Sequence, residues 1–221
     1  MTNSFDSDVI VDGSLVATTV TATTGSITNA MCTSTMALAR SKLAQDTLQP
    51  FTVPLTLFRV WDALATNLPG TAATDDLGLD NATFGTGSPH LTSGDLKAAG
   101  ATSRYARVHL PIPIEYDNGQ TCNLRVHAGM FTTVADTTAT VDVECYRSDE
   151  SGGISADLCT SASQSCNSLT FADLDYTLTP TTFVSGDTLD IRITVAVNDA
   201  ATGTAVEAVI GAVQLICDVK G

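Results

Sequence analysis

The sequence predicts an all-β protein: a jelly-roll β-sandwich preceded by an extended N-terminal arm and one short helix. Three observations lead there. From Tyr105 to the end of the chain, six or so runs are rich in Val, Ile, Thr and aromatic residues and are separated by turn-forming clusters. The run TLDIRITVAVND alternates strictly: Leu189, Ile191, Ile193, Val195 and Val197 share one face, and Asp190, Arg192 and Thr194 share the other. Before these runs lies a stretch of small, β-branched and hydroxylated residues too slight to make a core of its own.

That leading stretch is VDGSLVATTVTATTGSITNA. Apolar residues keep a two-residue phase at Val9, Val11, Leu15 and Ala17, with Gly13 in the gap, then change phase at Val20 and Ala22. Gly-Ser-Leu at Gly13 returns as Gly-Ser-Ile at Gly25, the last residue of that triplet being Ile27. A strand buried on one face keeps its phase, so the segment reads as short strands with turns, able to bury its side chains only against other copies or a partner. MALARSKLAQDTLQ follows, where Leu38, Leu43 and Leu48 with Ala39 and Ala44 suit a helix capped by Ser34 or Thr35 and ended by Pro50. The domain boundary is placed there: 1–49 for arm and helix, 50–221 for the sandwich.

FTVPLTLFRVW reads as a strand with Pro54 at an edge or bulge. LPGTAATDDLGLDNATFGTGSPHLTSGD is loop-rich. Strands then follow in RYARVHLPIPIEY, NLRVHAGMF, TVDVECYRS, LTFADLDYTLTP, TLDIRITVAVND and TAVEAVIGAVQLICDVKG. Asp117-Asn118-Gly119 and Ser185-Gly186-Asp187 supply turns between them. An eight-stranded jelly roll fits better than an immunoglobulin-like domain, because there is no Cys–Trp–Cys spacing: Trp61, the single tryptophan, precedes every candidate cysteine pair.

Composition narrows the function. With 221 residues, 43% apolar and 15% charged, the chain can bury a sizeable core. No run approaches the roughly 18–20 apolar residues that cross a bilayer. The start, MTNSFDSDVIVDG, lacks the basic and apolar regions of a secretory signal, so no export is read from it. A net charge of −14 with scattered Lys and Arg disfavours nucleic acid. The six cysteines contain no CxxC pair or zinc spacing. Cys145 and Cys217 lie within strands as small hydrophobes. Cys159 and Cys166 flank TSASQS and could be bridged, although free thiols are the default in a reducing cytoplasm.

Chemistry-bearing constellations are sparse. His109 and His127 occur in neighbouring strand candidates and would face each other if those strands paired; His90 stands alone. Asp75, Asp76, Asp80 and Asn81 could hold calcium, but the EF-hand pattern is absent and a solvated acidic loop is the plainer reading. No nucleophile elbow, phosphate loop or HExxH occurs. With 24 acidic residues, some carboxylate pair arises by chance. The expectation is a protein that is not an enzyme and needs no cofactor or metal.

VIVDGSLVATTVTATTGSITNAM resembles the Thr- and Ala-rich, glycine-punctuated arms of tailed-phage virion proteins, both tail fibres and head decoration (cement) proteins. MALARSKLAQD is similar to the segment joining such an arm to its globular domain, and RYARVHLPIPIEY through LICDVKG resembles the jelly rolls that form trimers on virions. The resemblance implies a homotrimer whose arms, through Val9, Val11, Gly13, Leu15, Val20, Gly25 and Ile27, wind together and dock on the phage major capsid protein or another virion protein. It implies synthesis in the host cytoplasm and a place on the capsid surface, with neither nucleic acid nor membrane as partner. An alternative is a tail fibre, spike or baseplate component that recognises a host-surface glycan, with Phe58 and Trp61 stacking on sugars.

Overall fold

The computed structural model describes residues 48–220. The arm residues Val9, Val11, Gly13, Leu15, Val20, Gly25 and Ile27, and the helix from Met36 as far as Thr47, lie outside the described residues.

Ten strands run through the described part: β1 (Leu48–Thr52), β2 (Gly78–Asp80), β3 (His90–Thr92), β4 (Gly100–Pro111), β5 (Cys122–Phe131), β6 (Thr138–Ser148), β7 (Gln164–Ser165), β8 (Ala172–Thr177), β9 (Thr188–Asp199) and β10 (Glu207–Asp218). One sheet has the order β2-β3-β10-β5-β8, with β1 also paired to β10; the other has the order β4-β9-β6-β7. All pairings between these strands are antiparallel. Four of them nest in sequence: β3 with β10, β4 with β9, β5 with β8, and β6 with β7. A long hairpin rolled so that successive pairs fall in alternate sheets gives this pattern, which is the predicted jelly roll.

The core lies between the sheets and is drawn from one phase of each long strand. β9 buries Leu189, Ile191, Ile193, Val195 and Val197, as its alternation predicts. β6 contributes Ala139, Val141, Val143 and Cys145. β10 changes phase on the way, with Ala208 and Ile210 inward at its start and Val213, Leu215 and Cys217 inward at its end. A register shift against β5 between Ile210 and Ala212 inserts one extra residue, Gly211, and so keeps both halves facing the core. Under the neighbouring strand, Gly129 is required by close approach: a Cβ there would lie 2.7 Å from the Phe171 ring. Tyr176 ties the sheets together by donating its hydroxyl to the Val141 carbonyl at 2.7 Å.

Several expectations need correction. FTVPLTLFRVW is not one strand. β1 ends at Thr52, Val53 N–H gives a last bond to Val213 O, and Pro54 introduces a single 3-10 turn, Leu55–Leu57. Proline has no N–H to continue the ladder. Leu48 and Gln49, counted into the helical segment, instead pair with Asp218 and Cys217. Pro50 is accommodated because β1 is short and lies outermost on β10. Cys159 and Cys166 are free thiols. Cys159 bridges to Leu178, whereas Cys166 donates its backbone N–H to Ala139 O, so different strands hold the two.

One polar residue belongs to the inner phase. Asp199 ends β9 and is fully buried. Its carboxylate accepts N–H bonds from Ala98 (2.7 Å), Asp136 (2.9 Å) and Thr202 (3.3 Å), and also the Thr202 hydroxyl. Asp136 reciprocates by accepting from Ala200 and Ala201. Three loops at one end of the sandwich are thus pinned by two carboxylates, which accept from loop amides.

Candidate functional site: a cleft on the outer face of the second sheet

The outward phase of β4, β9 and β6 forms a grid. Register places Arg107 opposite Arg192 and His109 opposite Asp190 across β4 and β9. It places Glu144 opposite Arg192 and Tyr146 opposite Asp190 across β6 and β9. Two arginines side by side repel, and the grid resolves this by giving each a carboxylate. Arg107 donates Nε to Asp190 Oδ1 at 2.7 Å and a second N–H to Oδ2. Arg192 donates both Nε (2.7 Å) and Nη2 to Glu144 Oε2. Hydrogen bonding to Asp190 raises the Arg107 pKa further, so the guanidinium stays charged. Burial, with the Glu144 carboxylate beside it, pushes the Tyr146 phenol up; it remains a donor, 3.3 Å from Glu144 Oε1.

One wall comes from the segment after the 3-10 turn. Arg59 exchanges backbone bonds with Arg107 (2.8 and 3.0 Å), laying this segment along the edge of β4 and bringing Trp61 over the grid. The Trp61 indole N–H donates to Asp75 Oδ2 at 2.9 Å, and its ring lies 5.2 Å from that of Tyr105. The Arg192 guanidinium sits 5.3 Å from the Trp61 centroid and 5.1 Å from the Tyr105 centroid, a double cation–π contact. The opposite wall is Ile154, 64% exposed, on the loop that follows β6 and bridges back to Ser148. Between the walls lies a cleft of about 350 Å³. Asp62, Glu144 and Asp190 line it with Arg107 and Arg192, three carboxylates against two guanidiniums.

Of the residues singled out in the sequence, Trp61 is in the cleft, while Phe58 is in the core at 1% exposure and cannot stack on a ligand. His109 lies at the cleft's edge, 3.5 Å from Asp190. His127 is on the other sheet, bonded to Asp173 at 2.7 Å, because β4 and β5 do not pair. His90 packs against Phe131 there. The acidic loop is dispersed: Asp75 holds Trp61, and Asp80 accepts the Ala82 N–H. Among the described residues, no group of three or more His, Cys, Asp or Glu side chains is placed to hold a metal ion. Glu144, Tyr146 and Arg107 were not singled out, and Asp190 and Arg192 only as the outer face of their strand. Their signal was the charged, outward phase of RYARVH, VECYR and LDIRIT; what brings them together is register between strands distant in sequence.

No protein-family model and no curated protein matches the chain. Solved structures similar to it include carbohydrate-binding modules and a phage tailspike domain. The CBM22-1 xylan-binding domain of Paenibacillus barcinonensis Xyn10C matches at 11% identity over 66% of this chain and 83% of its own, with a TM-score of 0.38. A xylan-binding module, CBM15, matches at 11% over 78% and 99%, with a TM-score of 0.38. The enzymatically active domain of tailspike protein 4 of bacteriophage CBA120 matches at 13% over 76% of this chain and 19% of that one, with a TM-score of 0.31.

Proposed function

We propose that the described domain is a non-enzymatic glycan-binding module, and that its cleft takes a neutral oligosaccharide segment. A pyranose ring offers an apolar C–H face and a rim of hydroxyls that both donate and accept. It is matched by an aromatic surface beside fixed planar polar groups. Trp61 and Tyr146 supply the aromatic surface, and the Arg107–Asp190 and Arg192–Glu144 pairs supply donors and acceptors already held in place. Preorganisation of this kind reduces the side-chain ordering that binding would otherwise require. Both guanidiniums are matched internally and the lining carries one excess carboxylate, so an anionic sugar would meet repulsion. The same pairing opposes hydrolysis: Glu144 and Asp190 already accept two guanidinium bonds each, leaving neither arranged to give or take a proton at a glycosidic oxygen.

The observation that carries this reading is the ion-paired floor beside Trp61. Of the two roles read from the sequence, it favours glycan recognition by a tail fibre, spike or baseplate component over capsid decoration. Placement on a virion and trimerisation through the arm are proposed from the sequence alone. The test is binding of the full chain to an array of neutral and acidic polysaccharides, with Trp61→Ala beside it. Neutral glycans should be retained, and the variant should lose on the order of 10- to 100-fold in affinity. Retention of acidic glycans alone, or an unchanged Trp61→Ala protein, would contradict it.

A further inference from the structure

We propose that Cys122 and Cys217 are a disulfide-forming pair that covalently joins β5 to β10 when the protein meets an oxidising medium. The two are opposite each other in the antiparallel register. Asp218 N–H donates to Thr121 O at 3.0 Å, which makes Thr121 and Asp218 a hydrogen-bonded pair and the adjacent Cys122 and Cys217 a non-hydrogen-bonded one. In such pairs the Cα atoms are about 4.5 Å apart and the side chains closest, inside the roughly 4.4–6.8 Å range that a disulfide spans. Both side chains point into the core, at 1% and 0% exposure, and the sulfurs are 3.0 Å apart. Bond formation therefore needs no movement of either strand.

Hydrogen bonding to Cys217, together with burial, holds the Cys122 thiol protonated in the closed fold, which slows attack on an external oxidant. Access comes from the strand ends. Cys122 is the first residue of β5, and Cys217 is next to the last of β10, so fraying by a residue or two exposes them. With a small-molecule disulfide as oxidant, one cysteine thiolate attacks it and releases one small thiol. The second thiolate then attacks the mixed disulfide and releases another. Two protons and two electrons leave the protein, and one sulfur–sulfur bond forms. The cysteines are 95 residues apart in sequence, so the closed loop takes in most of the sandwich. Gln49 of β1 pairs with Cys217 itself, which puts the crosslink beside the first described strand of the sandwich.

The test is to incubate the full chain with oxidised glutathione, both folded and during refolding from urea, then alkylate free thiols and map peptides without reduction. A peptide linking Cys122 to Cys217, with a urea midpoint that rises on oxidation and falls back on reduction, is expected. In Cys122→Ala and Cys217→Ala the midpoint should not respond to the oxidant. Recovery of both cysteines as alkylated thiols after oxidative refolding, or a link from either to another cysteine, would overturn the proposal; this peptide result stands even if a variant fails to fold.

Discussion

Asp199→Ala is expected to lower the melting temperature by on the order of 10 °C, the largest stability effect we foresee for a single substitution in the described domain. Alanine would take the shared acceptor away from the partly buried amides of Ala98, Asp136 and Thr202 at once, and would leave a void where the buried carboxylate stood. Burial by itself would raise the Asp199 pKa. The Thr202 hydroxyl and the surrounding amides outweigh it and hold the carboxyl down at about 2. An unfolded aspartate titrates near 3.9. The folded value is the lower, so the contribution is fully present above roughly pH 4 and is lost as pH falls towards 2. Asp95, lowered by the Lys97 and Val206 amides, adds to the acid sensitivity in the same direction. The comparison that isolates Asp199 is therefore wild type against Asp199→Asn, by calorimetry across this range. The gap in melting temperature should be widest near neutrality and should narrow towards pH 2.

Arg192→Met is expected to reduce glycan affinity by on the order of 10- to 100-fold while costing only about 1 kcal/mol of stability. Methionine keeps a flexible apolar stem against Trp61 and Tyr105 but removes the cation that faces both rings. It also strands Glu144, whose carboxylate has Arg192 as its guanidinium partner, and shifts the cleft from one excess negative charge to two. The arginine and glutamate side chains are 32% and 27% exposed, so water can partly solvate what is left; the stability loss is therefore modest. A cycle with Glu144→Gln separates the two contributions. The double variant should regain most of the stability and little of the affinity. Recovery of both together would assign the pair a purely structural role.

The sandwich was legible where local pattern and tertiary role coincide. In β9 Leu189, Ile191, Ile193, Val195 and Val197 all face the core, and the strand pattern follows directly from that. In β10 the bulge at Gly211 merges two short alternations of opposite phase into one strand, something the sequence shows only as a glycine within an apolar run. β1 was misread because Leu48 fits a helical spacing as well as a strand; pairing with Asp218, at the far end of the chain, decides between them. The cleft was harder to see. Arg107 and Asp190 are 83 residues apart, and Arg192 and Glu144 are 48 apart. Alternation tells that each faces outward, but only register tells that they meet. Asp199 breaks the rule that an inward phase is apolar, and its reason lies in loop amides that carry no sequence signature.

Trp61 is the single tryptophan of the chain and forms a wall of the cleft, so its emission reports on that site alone. The most direct measurement is a fluorescence titration of the full chain with the neutral oligosaccharide its array selects. A saturable change in Trp61 emission, with a midpoint matching the affinity measured independently by calorimetry, is the predicted result. Calorimetric binding that leaves the emission unchanged at saturation would place the sugar elsewhere and contradict the account.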